Sequence, residues 1–379
     1  MMIKKGVRRI VGWESPAAIH PGKFLEETLE DFAMSQADLA KRVGMCKKVI
    51  NEIIKGKNPI TRATAFKLGK VFPISEEYWI NLQGIYEADN ARLEEEKRIK
   101  EDTEKYLPLF SETYKELSRV GVASGLRWVE SNYASITLEL QRFYAAGSLE
   151  YVQREIAQVS FRKYKGENIN KYSLAAWLRL GRIKAQKTEV KCFDGQKLKE
   201  SLGEVVKLSK ENPYQYLPKI EAILGECGVV VAYMPYLKNT HVQGAATWVG
   251  KDKALIMLNT TKKSEDRFWF TLLHEVGHIL KHGRKDPFVD LESGQDVGEE
   301  EKEANEFSQK YLIPDFDKAY SDFNAYGGNK ASIERVSMGL DISPSILAGR
   351  IAHEFEKRGK NAYGVLNSFF ESKINYINI

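Results

Sequence analysis

Two histidines flank a glutamate at His274-Glu275-Val276-Gly277-His278. On a helix, positions four apart share a face, so both imidazoles point toward a single ion. Glu275 lies beside them, where a carboxylate can take a proton from water activated by that ion. This is the chemistry of zinc-dependent hydrolysis, and Zn2+ is the expected cofactor. Histidine occurs only 6 times in the chain, so the spacing is a specific signal rather than background.

A catalytic zinc needs a third protein ligand. His282 is eight residues after His274, about 12 Å along a helix that rises ~1.5 Å per residue, too far to share the ion without a helix break. The longer zinc-peptidase spacing fails too, because it needs a glycine and a histidine where Lys281 and Arg284 stand. A carboxylate from a second helix is left. Within Glu301-Lys302-Glu303-Ala304-Asn305, Glu301 is the expected ligand, and Asn305, one turn later, can hydrogen-bond a ligand histidine. Glu303 points away from that face and is the second choice, so its loss should matter less to the metal. Glu299, Glu300 and Glu306 read as a solvated acidic surface.

A second constellation runs from Ser35 to Ile53 and has the layout of a helix-turn-helix. Ser35 can cap the first helix, Ala40 is small where two helices cross, and Gly44 suits a left-handed turn. Val49, Ile50 and Ile53 then anchor the second helix on the core. Lys47, Lys48 and Asn51 are left on the outer face, able to meet base edges: Asn51 with adenine, Lys48 with guanine. Lys55 and Lys57 in the following turn, with Gln36 and Thr61 at helix starts, are placed for phosphates. The expected partner is a palindromic double-stranded DNA operator read by a homodimer.

Elements that must hold these residues can be read from periodicity. Helical spacing marks Phe24-Leu25-Leu29-Phe32, Leu39-Val43, Val49-Ile50-Ile53-Ile54 and Phe66-Leu68-Val71. Strand-like runs come later, at 229–234, 244–249 and 254–258. The second of these is equally an edge strand that could pair with an extended substrate or an interior one. Helices are expected over 265–281, 299–312 and 333–356. The fold class is therefore α+β: an all-α N-terminal domain over 1–90, a helical middle region over 91–210, and a zincin-like domain with a small sheet over 211–379.

With 379 residues the chain exceeds the usual span of one core. The net charge of +5 says little about nucleic acid. Its distribution says more, since residues 41–70 hold nine Lys/Arg and one acid, Glu52. Three scattered cysteines (Cys46, Cys192, Cys227) suit a reducing cytoplasm and exclude a disulfide framework. Residues 1–13 are basic without a following apolar stretch, so no secretory signal is expected, and no apolar run is long enough for a membrane partner.

The N-terminal run, with His20-Pro21-Gly22, Asn58-Pro59-Ile60-Thr61 and Tyr78-Trp79-Ile80-Asn81-Leu82-Gln83, resembles the HigA/VapI branch of the Xre-type regulators, antidotes of toxin–antitoxin pairs. Cys46 departs from that pattern, where a serine cap is usual, and implies a slightly weaker cap. Residues 215–315, with Phe270 to Leu280, Glu301 to Asn305, Phe307 and Leu312-Ile313-Pro314, resemble the ImmA/IrrE family of metallopeptidases. That resemblance implies a zinc site of His274, His278 and Glu301, Glu275 as base, and cleavage of a protein partner. It gives His282 a place behind a ligand or at the transition state. The two readings are a DNA-binding regulator whose peptidase cleaves a protein, and a non-enzymatic antitoxin that neutralises a cognate toxin by contact.

Overall fold

The computed structural model describes residues 17–158, 169–259, 264–282, 288–291, 298–359 and 369. Residues 1–13, on which the expectation of no secretory signal rests, lie outside the described residues, as does Arg284. The chain divides into two compact units, 1–105 and 106–379.

The first unit is all helical: α1 (Pro21–Asp31), α2 (Gln36–Val43), α3 (Lys47–Ile54), α4 (Arg62–Val71) and α5 (Glu76–Lys105). Its core gathers Leu25, Leu39, Ile50, Ile53 and Leu68, positions that helical spacing marks, together with Trp79, whereas Phe32 and Phe66, marked by the same spacing, are exposed. Val49 packs at the margin of that core. Sequence motifs that flank the helix-turn-helix turn out to be joints. The His20 ring caps α1 by accepting from the Gly22 N–H at 3.0 Å and stacks edge-on against Tyr86. Gln83 accepts from the Ile60 N–H at 2.9 Å, a buried bond that fastens the loop before α4 to α5. A backbone N–H buried without such a partner costs about 1–3 kcal/mol, so this side chain is structural. The 90/91 boundary of the sequence reading falls inside α5.

The second unit begins with α6 (Ser111–Arg119), α7 (Glu130–Tyr144), α8 (Leu149–Gln158), α9 (Lys171–Lys187), α10 (Gly195–Lys207) and α11 (Pro213–Gly225). Then come β1 (Val229–Met234), β2 (Val242–Trp248), β3 (Ala254–Asn259), α12 (Glu265–Lys281), β4 (Phe288–Leu291), α13 (Glu299–Leu312), α14 (Phe316–Ala325), α15 (Lys330–Leu340) and α16 (Pro344–Lys357). The sheet order is β1-β3-β2-β4, with β1 parallel to β3 and the other pairs antiparallel.

Both faces of this sheet are covered. Val230, Ala232, Leu255 and Met257 pack with Phe110, Tyr114, Leu140 and Trp177 from the helices of 106–187. Val229, Val231, Ile256 and Leu258 face the other way, toward Leu217, Phe268, Leu272, Leu273 and Leu347. Burial on two sides is why β1 and β3 read as unbroken apolar runs instead of alternating. It also makes α6, α7 and α9 part of the second unit's core. No helix of the described residues is long and apolar enough to cross a membrane.

Three expectations are corrected. The sequence gives no sign of β4, and its pairing makes β2 an interior strand, which removes the edge-strand alternative for 244–249. The single helix expected over 333–356 is two: Asp341 turns left-handed at φ 62°, and the Ser343 side chain caps a new helix with Pro344 in its first turn. Ser-Pro is a helix-start signal, so this break was legible. The helix α14 also stands where no element was expected.

Candidate metal centre and nucleic-acid interface

α12 spans 265–281 as expected and brings its apolar face, including Phe268, Trp269, Leu272 and Leu273, into the core. That burial places His274 and His278 inside, with 2% and 1% of their surface exposed. α13 crosses α12 closely because residue 277 is glycine: a Cβ there would lie 3.2 Å from the Ala304 Cα and from the Phe307 ring. The close crossing delivers Glu301 and Asn305, one turn apart on α13, to the two histidines.

Three ligand atoms converge. The Nε2 atoms of His274 and His278 are 2.9 Å apart, and the Glu301 carboxylate oxygens lie 3.1 Å and 3.4 Å from them. Such a triangle lets each corner sit about 2 Å from one point, the length of a zinc–nitrogen or zinc–oxygen bond. The donor set fits a cation for a second reason. Each histidine has its other nitrogen occupied, His274 Nδ1 by the Asn305 Oδ1 at 3.0 Å and His278 Nδ1 by the His282 Nδ1 at 3.0 Å. With protons held on those Nδ1 atoms, two lone pairs and a carboxylate face each other, an arrangement that a cation satisfies. Burial lowers the basicity of His278, which favours the neutral ring a metal requires. Burial also pushes the Glu301 carboxyl upward, but hydrogen bonding to His274 and His278 outweighs it and holds the group down at about 2.

Glu275 is fully buried at 0% exposure, on the side of α12 that meets β2. A Cβ built on Gly244 would lie 2.4 Å from the Glu275 Oε1 and 2.7 Å from the Thr271 methyl. Gly244 thus leaves the room that the glutamate side chain occupies. Nothing in the residue pattern announced this contact; a glycine in a buried strand was the one available hint. His282 closes α12 as its C-cap, donating its backbone N–H to the His278 carbonyl. Its ring meets the far side of His278 from Glu301, and its Nε2 lies 3.0 Å from the Glu303 Oε2. Glu303, the second choice for a ligand, therefore contacts His282 instead.

In the first unit Ser35 accepts from the Asp38 N–H at 3.1 Å and Gly44 closes α2 in the left-handed region at φ 61°. Cys46 occupies the N-cap of α3 without a side-chain hydrogen bond. Lys47 and Lys48 are exposed on α3, Asn51 is half-buried one turn on, and Ile50 and Ile53 face inward. Lys48 lies 3.8 Å from Glu52, its neighbour on the next turn. Lys55 and Lys57 are exposed, Gln36 is half-buried at the start of α2, and Thr61 caps α4 by accepting from the Thr64 N–H at 3.2 Å. Lys47, Lys48 and Asn51 thus share one helix, with Lys55 and Lys57 directly after it.

Residues 25–79 match the helix-turn-helix family, and residues 225–331 match the peptidase family described as the IrrE N-terminal-like domain. The chain joins a helix-turn-helix domain to an IrrE N-terminal-like domain. The histidine–glutamate helix and α13 both fall inside the IrrE-like segment, and α2 and α3 inside the helix-turn-helix. Virulence-associated protein I of Dichelobacter nodosus is 38% identical over 71 residues, which are 18% of this chain and 66% of that protein. Virulence-associated protein A′ of the same organism is 33% identical over 69 residues, 18% of this chain and 60% of that protein. The chain thus spans two thirds or less of the length of these curated relatives. Two solved structures are similar at a TM-score of 0.21 each: an addiction module antidote protein of the HigA family from Coxiella burnetii and the Pseudomonas aeruginosa antitoxin HigA with the higBA promoter. They are 35% and 34% identical, each covering 22% of this chain and respectively 94% and 90% of their own.

Proposed function

We propose that this chain is a sequence-specific DNA-binding regulator of the toxin–antitoxin type whose IrrE-like domain is a zinc-dependent endopeptidase acting on a protein partner. The observation that carries the peptidase half is the convergence of His274, His278 and Glu301 on one point, with Glu275 in the same helix. His274, His278 and Glu301 would hold zinc, which supplies Lewis-acid activation of water and of a peptide carbonyl. Asn305 can accept a hydrogen bond from the His274 Nδ1–H and so orient that ring. Glu275 takes the proton that water loses and returns it to the departing amine. Its packing against Gly244 limits where that carboxylate can go. For the DNA half, a dimer would present Lys47, Lys48 and Asn51 to the major groove of a palindrome, while Gln36, Lys55, Lys57 and Thr61 contact phosphates. The match of residues 25–79 to the helix-turn-helix family supports this half of the reading.

The full burial of Glu275 supports a second reading, in which the domain binds zinc and a partner, such as a cognate toxin, without cleaving it. One experiment separates the two. The zinc-loaded chain is incubated with the products of its neighbouring genes, wild type beside Glu275→Gln, and peptides are identified by mass spectrometry. Cleavage that disappears in the variant supports the peptidase. Stable complex formation without cleavage in either protein supports the binding module.

A further inference from the structure

The two histidines of the candidate metal centre are supported differently. His274 reaches Asn305, an amide, in one step. His278 reaches Glu303, a carboxylate, in two steps through His282, at 3.0 Å and 3.0 Å. We infer that Glu303 is a positioning residue for this centre: acting through His282, it holds the proton of His278 on Nδ1 and leaves its Nε2 bare toward Glu301 and His274. The inference rests on the metal reading above and adds to it a residue outside the ligand set.

The polarity of the relay follows from what each group can do. A carboxylate oxygen only accepts, so His282 donates to Glu303 from Nε2. With His282 neutral, donation from Nε2 leaves its Nδ1 as an acceptor, so the His278 Nδ1 donates to it. One proton on His278 Nδ1 leaves Nε2 with a lone pair, the form that ligates a metal. The other arm has no such direction. An amide presents either an acceptor oxygen or a donor nitrogen to a ring, so Asn305 is compatible with both tautomers of His274. Glu303 thus fixes a polarity that Asn305 leaves open. The fold supports the path: His282 is the C-cap of α12, its side chain is 5% exposed, and Glu303 sits at the rim with 46% of its side chain exposed.

Glu303→Gln keeps the shape and removes only the obligatory acceptor, since the new amide can turn and donate. Zinc affinity of the full chain is measured at fixed pH by competition with a chelating indicator, for wild type, Glu303→Gln, Glu303→Ala and His282→Ala. Thermal melting of the metal-free proteins checks that each variant folds. Glu303→Ala should weaken zinc binding about tenfold, the lower end of the range for partners behind a ligand, and Glu303→Gln should weaken it less. Adding Glu303→Ala to His282→Ala should change nothing further, because Glu303 works only through that ring. Cobalt-loaded protein should show a displaced visible band in Glu303→Gln. Unchanged affinity in Glu303→Gln and Glu303→Ala, with wild type binding zinc, overturns the relay alone. So does a Glu303 effect that persists without His282. A wild type that binds no zinc overturns the metal reading and the relay with it.

Discussion

The reader helix α3 and the metal helix α12 use the same device, side chains spaced along one helical face, and turn it in opposite directions. On α3 the core residues Ile50 and Ile53 face inward, so Lys47 and Lys48 are displayed to solvent. On α12 the functional face is itself the buried one, and His274, Glu275 and His278 are all at 2% exposure or less. A displayed face needs only its own helix to be held in place. A buried face needs partners from elsewhere in the fold: Glu301 and Asn305 from α13, Gly244 from β2. Damage to the α12 site should therefore be severe and spread over several elements, and damage on α3 milder and confined to α3.

The largest effect is expected from Glu275→Gln. An amide cannot accept the proton, so partner cleavage should fall by about 10²–10⁴-fold, while zinc content measured by atomic emission stays at wild-type level. Gly244→Ala should act in the same direction without touching a ligand, because its Cβ would lie 2.4 Å from the Glu275 Oε1. Retained cleavage in Gly244→Ala would show that β2 does not position the glutamate and would weaken the contrast.

Removing a ligand comes next. His278→Ala and Glu301→Ala should each lower zinc affinity by more than about 100-fold, since losing an outer partner alone costs ~10–100-fold. Full zinc occupancy in Glu301→Ala after dialysis would move the third ligand elsewhere.

How much of each region the sequence discloses follows from the same difference. For α3, the cap, turn and core positions are set by local spacing and were legible in the sequence, whereas its packing against α1 was not. For α12, the spacing of His274, Glu275 and His278 is local and its helix limits were legible. Glu301 and Asn305 were reachable because they share a helical face and because zinc demands a third ligand. Helical geometry turns Glu303 from Glu301's face, as the sequence implied, but its contact with His282 is visible only in the fold. The role of Gly244 depends on how α12 packs on β2, and β4 on strand pairing between distant segments, neither of which residue patterns encode. The role of Gln83 was hidden likewise, since an acceptor for the Ile60 N–H comes from 23 residues away.

On the display side, Asn51→Ala should reduce discrimination between operator and a base-substituted site by roughly 1–3 kcal/mol. Lys57→Ala should instead weaken all DNA alike and lower the salt slope of binding by about 1. Binding titrations at several salt concentrations distinguish these. Operator affinity that survives simultaneous alanines at Lys47, Lys48 and Asn51 would remove α3 from the reading role.

The smallest effect concerns how α3 itself is held. α2 begins at Ser35, whose hydroxyl accepts from the Asp38 N–H, whereas α3 begins at Cys46, whose thiol makes no cap hydrogen bond. Both caps have the extended backbone a helix start requires, with ψ 155° at Ser35 and ψ 135° at Cys46, so the difference is chemical rather than conformational. A thiol is a weak acceptor, so the first turn of α3 lacks the side-chain acceptor that α2 has, and its Val49 N–H turns to the Cys46 carbonyl at 2.9 Å instead. Cys46→Ser should supply it and stabilise the first unit by about 0.5–1 kcal/mol, read as a shift of the denaturation midpoint at constant slope. Ser35→Ala should move the midpoint the other way by a similar amount. Because α3 is braced by its own core residues, neither change should alter zinc affinity in the second unit. A Cys46→Ser protein no more stable than wild type would mean that water already satisfies those amides, and that the cap was never the weak point of the reader helix.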